Sequence, residues 1–169
     1  EPRYDLRLLL DIDNLKRLEQ MSMGELSELG GKVKGDITLK GTADHYQMNG
    51  FVGFDSTTFK LNSLNFKASI PDEKIAIDTK GFHFSDFSIE DKDKKQLTLN
   101  GDVFTDNFVD YDYDLALETK NFQPVNSTID DNPLFFGNLN IDADVKLKGN
   151  LDNPKVTAAL KINKATDLT

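Results

Sequence analysis

An antiparallel all-β fold is what this 169-residue sequence predicts, on three observations: apolar and polar residues alternate in nearly every segment, Gly, Asn, Asp and Pro punctuate the segments, and one phrase recurs at a fixed offset. Side chains of a strand point alternately to opposite faces, so this patterning gives each strand one apolar and one polar face.

The first strand is read over residues 1–13, from Tyr4, Leu6, Leu8, Leu10 and Ile12. Over 14–29 the period changes, with Leu15, Leu18, Met21, Leu26 and Leu29 near helical spacing and Asn14 placed as a cap. Gly24 weakens the middle of that window, so a short helix is expected over Leu15–Met21, then a loop and a further turn, plugging one end of the sheet.

From residue 30 alternation resumes in Val33, Ile37 and Leu39, then Val52 and Phe54, then Leu64, Phe66, Ala68 and Ile70. It continues in Ile75 and Ile77, Phe82 and Phe84, Leu97 and Leu99, and in Tyr111, Tyr113, Leu115 and Leu117 within a strand from Val109. The last two strands carry Leu139, Ile141, Ala143, Val145 and Leu147, then Val156, Ala158, Leu160 and Ile162. Turns are expected at Gly30-Gly31, Gly41 to Asp44, Ile70-Pro71-Asp72, Gly101-Asp102, Asp106-Asn107, Asp130 to Pro133 and Asp152 to Pro154. Phe51 is out of step and is expected to face outward or mark a bulge.

The recurring phrase is strand, glycine, turn, strand. Gly35 to Gly41 aligns with Ala143 to Gly149 at an offset of 108 residues, and past the glycine Tyr46 falls on Pro154, Met48 on Val156 and Val52 on Leu160. A weaker third copy begins at Leu97 and has its glycine at Gly101. Such repetition suits one small unit stacked many times, each copy burying its apolar face only with its neighbours.

The formal charge of −9 argues against nucleic acid and against an anionic membrane surface. Without cysteine there is no disulfide or thiolate chemistry, and no run is long and apolar enough to span a membrane as a helix. The start at Glu1-Pro2-Arg3 and the end at Asp167-Leu168-Thr169 are expected of one segment of a longer chain.

His45 and His83 are the histidines, and neither has a serine nucleophile in a recognisable setting, so both are read as solvated surface groups. Asp110, Asp112 and Asp114 are expected on one strand face, about 6.6–6.8 Å apart from one to the next, too wide to share one Ca²⁺. Glu90 to Lys95 is read as a hairpin tip. With no phosphate loop, zinc-ligand spacing or nucleophile elbow, the chain is read as a non-enzyme with no cofactor and no metal.

A sheet with one apolar face and too few helices to cover it can close into a barrel, pack as a sandwich, or bend into a trough filled by a ligand. A closed form suits an adhesion or carbohydrate-binding module, although absence of Trp counts against sugar stacking.

The phrases GDITLKGTADHYQMNGFVGF (Gly35–Phe54), LTLNGDVFTDNFVDYDYDLALE (Leu97–Glu118) and ADVKLKGNLDNPKVTAALKI (Ala143–Ile162) resemble the TamB (translocation and assembly module) and AsmA-like family of Gram-negative envelopes. Tyr46, where the phrase otherwise has proline, and the helical window over 14–29 depart from the family pattern. The resemblance implies an open, U-shaped, taco-like β-groove within a long periplasmic chain anchored in the inner membrane. It implies a role in moving phospholipid acyl chains to the outer membrane or in chaperoning nascent outer-membrane strands, with an Omp85-type barrel as partner. On that reading the apolar rows named above, from Leu6 to Ile162, line the groove. The open edges of the end strands would then pair with neighbouring repeats or drive dimerisation.

Overall fold

Ten strands form one antiparallel sheet in the computed structural model, which describes residues 2–42, 45–105 and 109–169. They are β1 (Tyr4–Ile12), β2 (Leu26–Gly41), β3 (Tyr46–Leu61), β4 (Phe66–Asp78), β5 (Gly81–Asp91), β6 (Gln96–Phe104), β7 (Asp112–Ser127), β8 (Gly137–Asn150), β9 (Pro154–Ile162) and β10 (Asp167–Leu168). The order in the sheet is the order in the chain as far as β8, whose far edge takes β9 along most of its length and β10 at its start. Among the described residues neither β1 nor β9 has a second neighbour, and the sheet does not close into a barrel.

The recurring phrase is visible in the ladders. Gly41 pairs with Tyr46, Leu39 with Met48 and Ile37 with Gly50; Gly149 pairs with Pro154, Leu147 with Val156 and Val145 with Ala158, an identical register shifted by the offset of the repeat. Both glycines hold a positive φ, 135° and 112°, at the point where the strand enters its turn. A Cβ on Gly41 would collide with the His45 carbonyl, and one on Gly149 would lie 2.5 Å from the Asn153 carbonyl, so the phrase needs glycine there. In the third copy β6 runs on to Phe104, three residues past Gly101. The expected turn positions Ala43-Asp44 and Asp106-Asn107 lie outside the described residues.

Three expected turns lie inside strands instead. Gly30-Gly31 falls in β2 at register shifts against β3, and Gly101-Asp102 is continuous strand in β6. Pro71 sits within β4 in a stretch where the ladder to β5 is interrupted, so its missing N–H leaves no partner stranded. Glycine and proline signal bulges as well as turns, and the ladders on either side decide which.

The window over 14–29 folds as a 3₁₀ helix, Leu15–Ser22, rather than an α-helix with a further turn, and Asn14 makes no side-chain cap bond. Leu26 and Leu29 belong to β2, whose first residues pair with the end of β3. Leu15 is buried, the Leu29 N–H donates to the Glu19 carboxylate (2.8 Å), and the Leu26 N–H donates to the Ser22 hydroxyl (3.0 Å). The helix is thereby tied to β2. A second 3₁₀ turn, Asn62–Leu64, joins β3 to β4 and removes Leu64 from the strand expected to carry it. The strand expected from Val109 begins at Asp112, so Asp110 and Tyr111 precede it and the three carboxylates do not share one strand face.

The convex face is polar. Arg7 donates to both carboxylate oxygens of Asp36, and Lys148 reaches Asp114 at 2.6 Å on the neighbouring strand. Phe51 also faces this side, with Lys74 Nζ 5.1 Å from its ring centre. His83 is not simply solvated. It stands between Asp78 of β4 and Asp102 of β6, with Nε2 2.9 Å and Nδ1 2.6 Å from their carboxylate oxygens. Hydrogen bonds to Asp78 and then Asp102 hold its pKa above the usual histidine value.

Gly149→Ala is expected to cost about 1–3 kcal/mol of stability in chemical denaturation, because alanine is strained at that φ. The raised pKa of His83 stabilises the fold fully below about pH 6.5, the unfolded value, and that share is lost as pH rises through the folded value. His83→Gln should therefore flatten the decline in stability above that pH, as read from denaturation midpoints across the range.

Candidate functional site

The register puts almost all of the apolar rows read from the sequence on one face. Leu6, Leu8 and Leu10 of β1 stand opposite Leu39, Ile37 and Gly35, and Val33 opposite Phe54. Val52 faces Ile75, Ile77 faces Phe82, and Leu99 faces Leu117, which faces Val145. Phe66, Phe84, Leu97, Tyr113, Leu115, Leu139, Ile141 and Leu147 follow in the same rows, and Val156, Leu160 and Ile162 of β9 complete them. Leu64 and Tyr111 lie off the strands.

That face is concave. Strands are spaced about 4.8 Å apart, so in a flat sheet residues two strands apart are about 10 Å distant and three strands apart about 14 Å. Yet the rings of Phe54 (β3) and Phe87 (β5) are 5.6 Å apart, as are those of Phe66 (β4) and Phe122 (β7). Curvature toward the apolar face is the way to bring them together.

The β5–β6 hairpin helps to set this curvature. It ends at Asp91 and Gln96, while β4 and β7 run past its tip and meet beyond it. There Asn65 Nδ2 donates to the Asn126 carbonyl (2.8 Å) and Phe66 packs between Phe59 and Phe122. Asp91 is buried at the tip, accepting from the N–H groups of Asp93 (2.8 Å), Lys95 (2.9 Å) and, on β7, Gln123 (3.0 Å). One carboxylate thus shapes the turn and fastens it to the opposite wall.

Phe59, Phe87 and Phe122 were not among the residues the sequence singled out, because bulges break the period. Asn65, Asp86 and Asn121 hold φ of 46°, 50° and 52°, and each is followed directly by a phenylalanine of the concave face: Phe66, Phe87 and Phe122. Asn and Asp tolerate this conformation, and the extra residue turns the next side chain inward. An Asx-Phe pair inside an alternating run was the available signal. Thr57 and Phe59 are brought inward the same way after Ser56, at φ 50°.

The face is unevenly covered. Phe87 and Phe122 are buried in the middle of the sheet, but among the described residues no side chain is fully buried. On the flanking strands the rows stand open: Leu6, Leu8, Val156, Leu160 and Ile162 are 54–66% exposed. The open face is almost free of charge. Glu73, opposite Phe54, carries a carboxyl on this face, as does the buried Asp91; burial pushes the Glu73 pKa up against the Ser88 N–H that bonds it, with Asp72 and Asp86 raising it further.

Among the described residues, no group of three or more acidic or histidine side chains is placed to hold a metal, and no helix is long and apolar enough to cross a membrane. What the arrangement offers is shape and apolar surface: a curved strip, deep and aromatic at the centre, shallow and aliphatic along both rims. Neither the curated proteins nor the solved structures give a match. The family model described as the TamB C-terminal domain matches residues 85–169, half of the chain, which runs from the middle of β5 to the end of β10. The chain belongs to the TamB family.

Proposed function

We propose that the concave face takes up the acyl chains of phospholipid and passes them toward the outer membrane, as one stretch of a periplasmic groove in a longer chain held at the inner membrane. The observation that carries this is the pair of open aliphatic rims, Leu6 and Leu8 on β1 and Val156, Leu160 and Ile162 on β9, which stand exposed on the same face. Membership of a family acting in envelope assembly supports it, and an Omp85-type outer-membrane barrel is the partner this role calls for.

The physics needed is simple apolar burial. Each CH₂ withdrawn from water gains about 0.8 kcal/mol, so a chain of about sixteen methylenes gains roughly 13 kcal/mol if fully shielded and less in an open groove. Burial of this kind requires no specific head-group pocket, so the surface lets lipid slide rather than hold it. A closed sandwich or barrel for adhesion or sugar binding lacks support, since the sheet does not close.

Leu160→Glu and Leu8→Glu place a charge on each exposed rim where packing is thin. Uptake of a dansylated fatty acid, read by fluorescence, is expected to fall about tenfold or more in each, with the circular dichroism spectrum and melting temperature retained. Native mass spectrometry should find phospholipid on the unmodified protein and little on the variants. Unchanged uptake in both variants overturns the proposal, and capture of an amphipathic β-strand peptide with no fatty-acid uptake replaces it with chaperoning of nascent strands.

A further inference from the structure

The centre of the concave face holds a carboxylate whose charge the chain leaves largely unanswered. Glu73 stands on β4 directly opposite Phe54 of β3, half-buried among the apolar rows. We infer that Glu73 sets the selectivity of the groove, favouring cargo whose head carries an ammonium group and disfavouring cargo whose head is an anion. This rests on the reading of the concave face as a lipid groove and names the head chemistry that the groove prefers.

Other carboxylates of the sheet are provided for. Asp36 has Arg7, Asp114 has Lys148 and Asp142 has Lys161, all on the convex face. Asp91, the buried carboxylate of the concave face, accepts from the N–H groups of Asp93, Lys95 and Gln123. Glu73 has neither kind of provision. Among the described residues no cation pairs with it, and the adjacent Lys74 is turned to the convex face, its Nζ over the Phe51 ring. Burial acts against its charge and Asp72 and Asp86 add to the cost, while the Ser88 N–H opposes them. A cation brought to a partly buried carboxylate in this condition gains more than it would at an exposed ion pair, because less water screens it.

The surroundings suit an ammonium in two further ways. The β4–β5 ladder has no pairs between Ser69↔Glu90 and Ala76↔His83 and then resumes in the same register, so residues 70–75 and 84–89 lack ladder pairing on either side of Glu73. The carboxylate therefore borders an interruption in the sheet and meets the Ser88 N–H in place of a ladder bond. Phenylalanine rings gather at the same place: Phe87 lies 5.6 Å from Phe54 and 5.7 Å from Phe84, edge to face in both pairs. Phe54 and Phe84 are half-buried, open in part to the groove. Aromatic faces attract cations through the ring quadrupole and offer nothing to an anion. A head ending in an ammonium thus finds a carboxylate and aromatic rings together, whereas a carboxylate or phosphate head meets a charge of its own sign.

Three probes with the same long alkyl chain separate the charge of the head from the burial of the tail: a fatty acid, a primary alkylamine and a fatty alcohol. Each displaces a neutral fluorophore from the protein at about pH 8, where carboxylates are ionised and amines protonated. The unmodified protein should bind the amine about tenfold or more tighter than the acid. Glu73→Gln keeps an acceptor for the Ser88 N–H; it should weaken amine binding and tighten acid binding until the two are alike, with alcohol binding and melting temperature retained. Asp72→Asn removes the same net charge from the exposed position beside it and should keep the preference. Equal binding of amine and acid by the unmodified protein, a preference unchanged in Glu73→Gln, or one lost equally in Asp72→Asn would each overturn the inference, and alcohol binding in those cases leaves the groove reading standing. Failure of all three probes to bind overturns both. Capture of a lysine-bearing amphipathic peptide with no alkylamine binding also overturns the inference and gives the carboxylate to a protein client instead.

Discussion

Everything in this molecule depends on a sheet that has a single apolar face and no second layer to put against it. A flat sheet in that condition would leave all its rows in water. Curvature lets the rows of β3, β4, β5 and β7 bury one another, and the rings of Phe54, Phe84, Phe87, Phe59, Phe66 and Phe122 are the contacts through which they do so. The bend is encoded locally, by residues at positive φ that each throw the following side chains inward. Burial achieved this way is greatest at the centre and fails at the flanks, and the flanks are where the open rims are found.

Polar groups hold this curved form as much as apolar ones. Asp91 fastens the β5–β6 tip to β7, Asn65 ties the turn before β4 to the backbone of β7, and His83 with its two carboxylates binds three adjacent strands on the outside. Exposed ion pairs such as Lys148 with Asp114 contribute little stability individually. Their value lies in marking the convex face as the wet one, because a strand slipped by one residue would turn its charges into the groove.

Much of this was legible in the residues. The alternating rows gave the apolar face, and the phrase around Gly41 and Gly149 gave two hairpins of the same register, because a glycine forced against a carbonyl of its own turn leaves a mark in the sequence that a tolerant position does not. The bulges were harder. Gly30-Gly31 and Pro71 carry the same signature as turns, and only the continuing ladders on β3 and β4 show that the chain goes straight on. Leu26 and Leu29 sit near helical spacing from Leu15 but belong to β2, where Leu26 pairs with Leu61 of β3 and Leu29 falls in a register shift, a long-range choice that local period does not record. The choice among barrel, sandwich and trough was likewise out of reach of patterning, since all three present the same alternation. It turns on whether the two end strands meet.

The short β5–β6 hairpin governs how closely the strands beside it approach. Because β4 and β7 converge in the space it leaves vacant, its reach works like a wedge in a folded fan: withdrawn, it lets the ribs on either side come together; pushed in, it holds them apart. The turn at Lys92 to Lys95 is exposed, so insertions there are accommodated more readily than in the rows themselves. The spacing of β4 and β7 is therefore set by the length of one hairpin, while the apolar rows and their register depend on other residues.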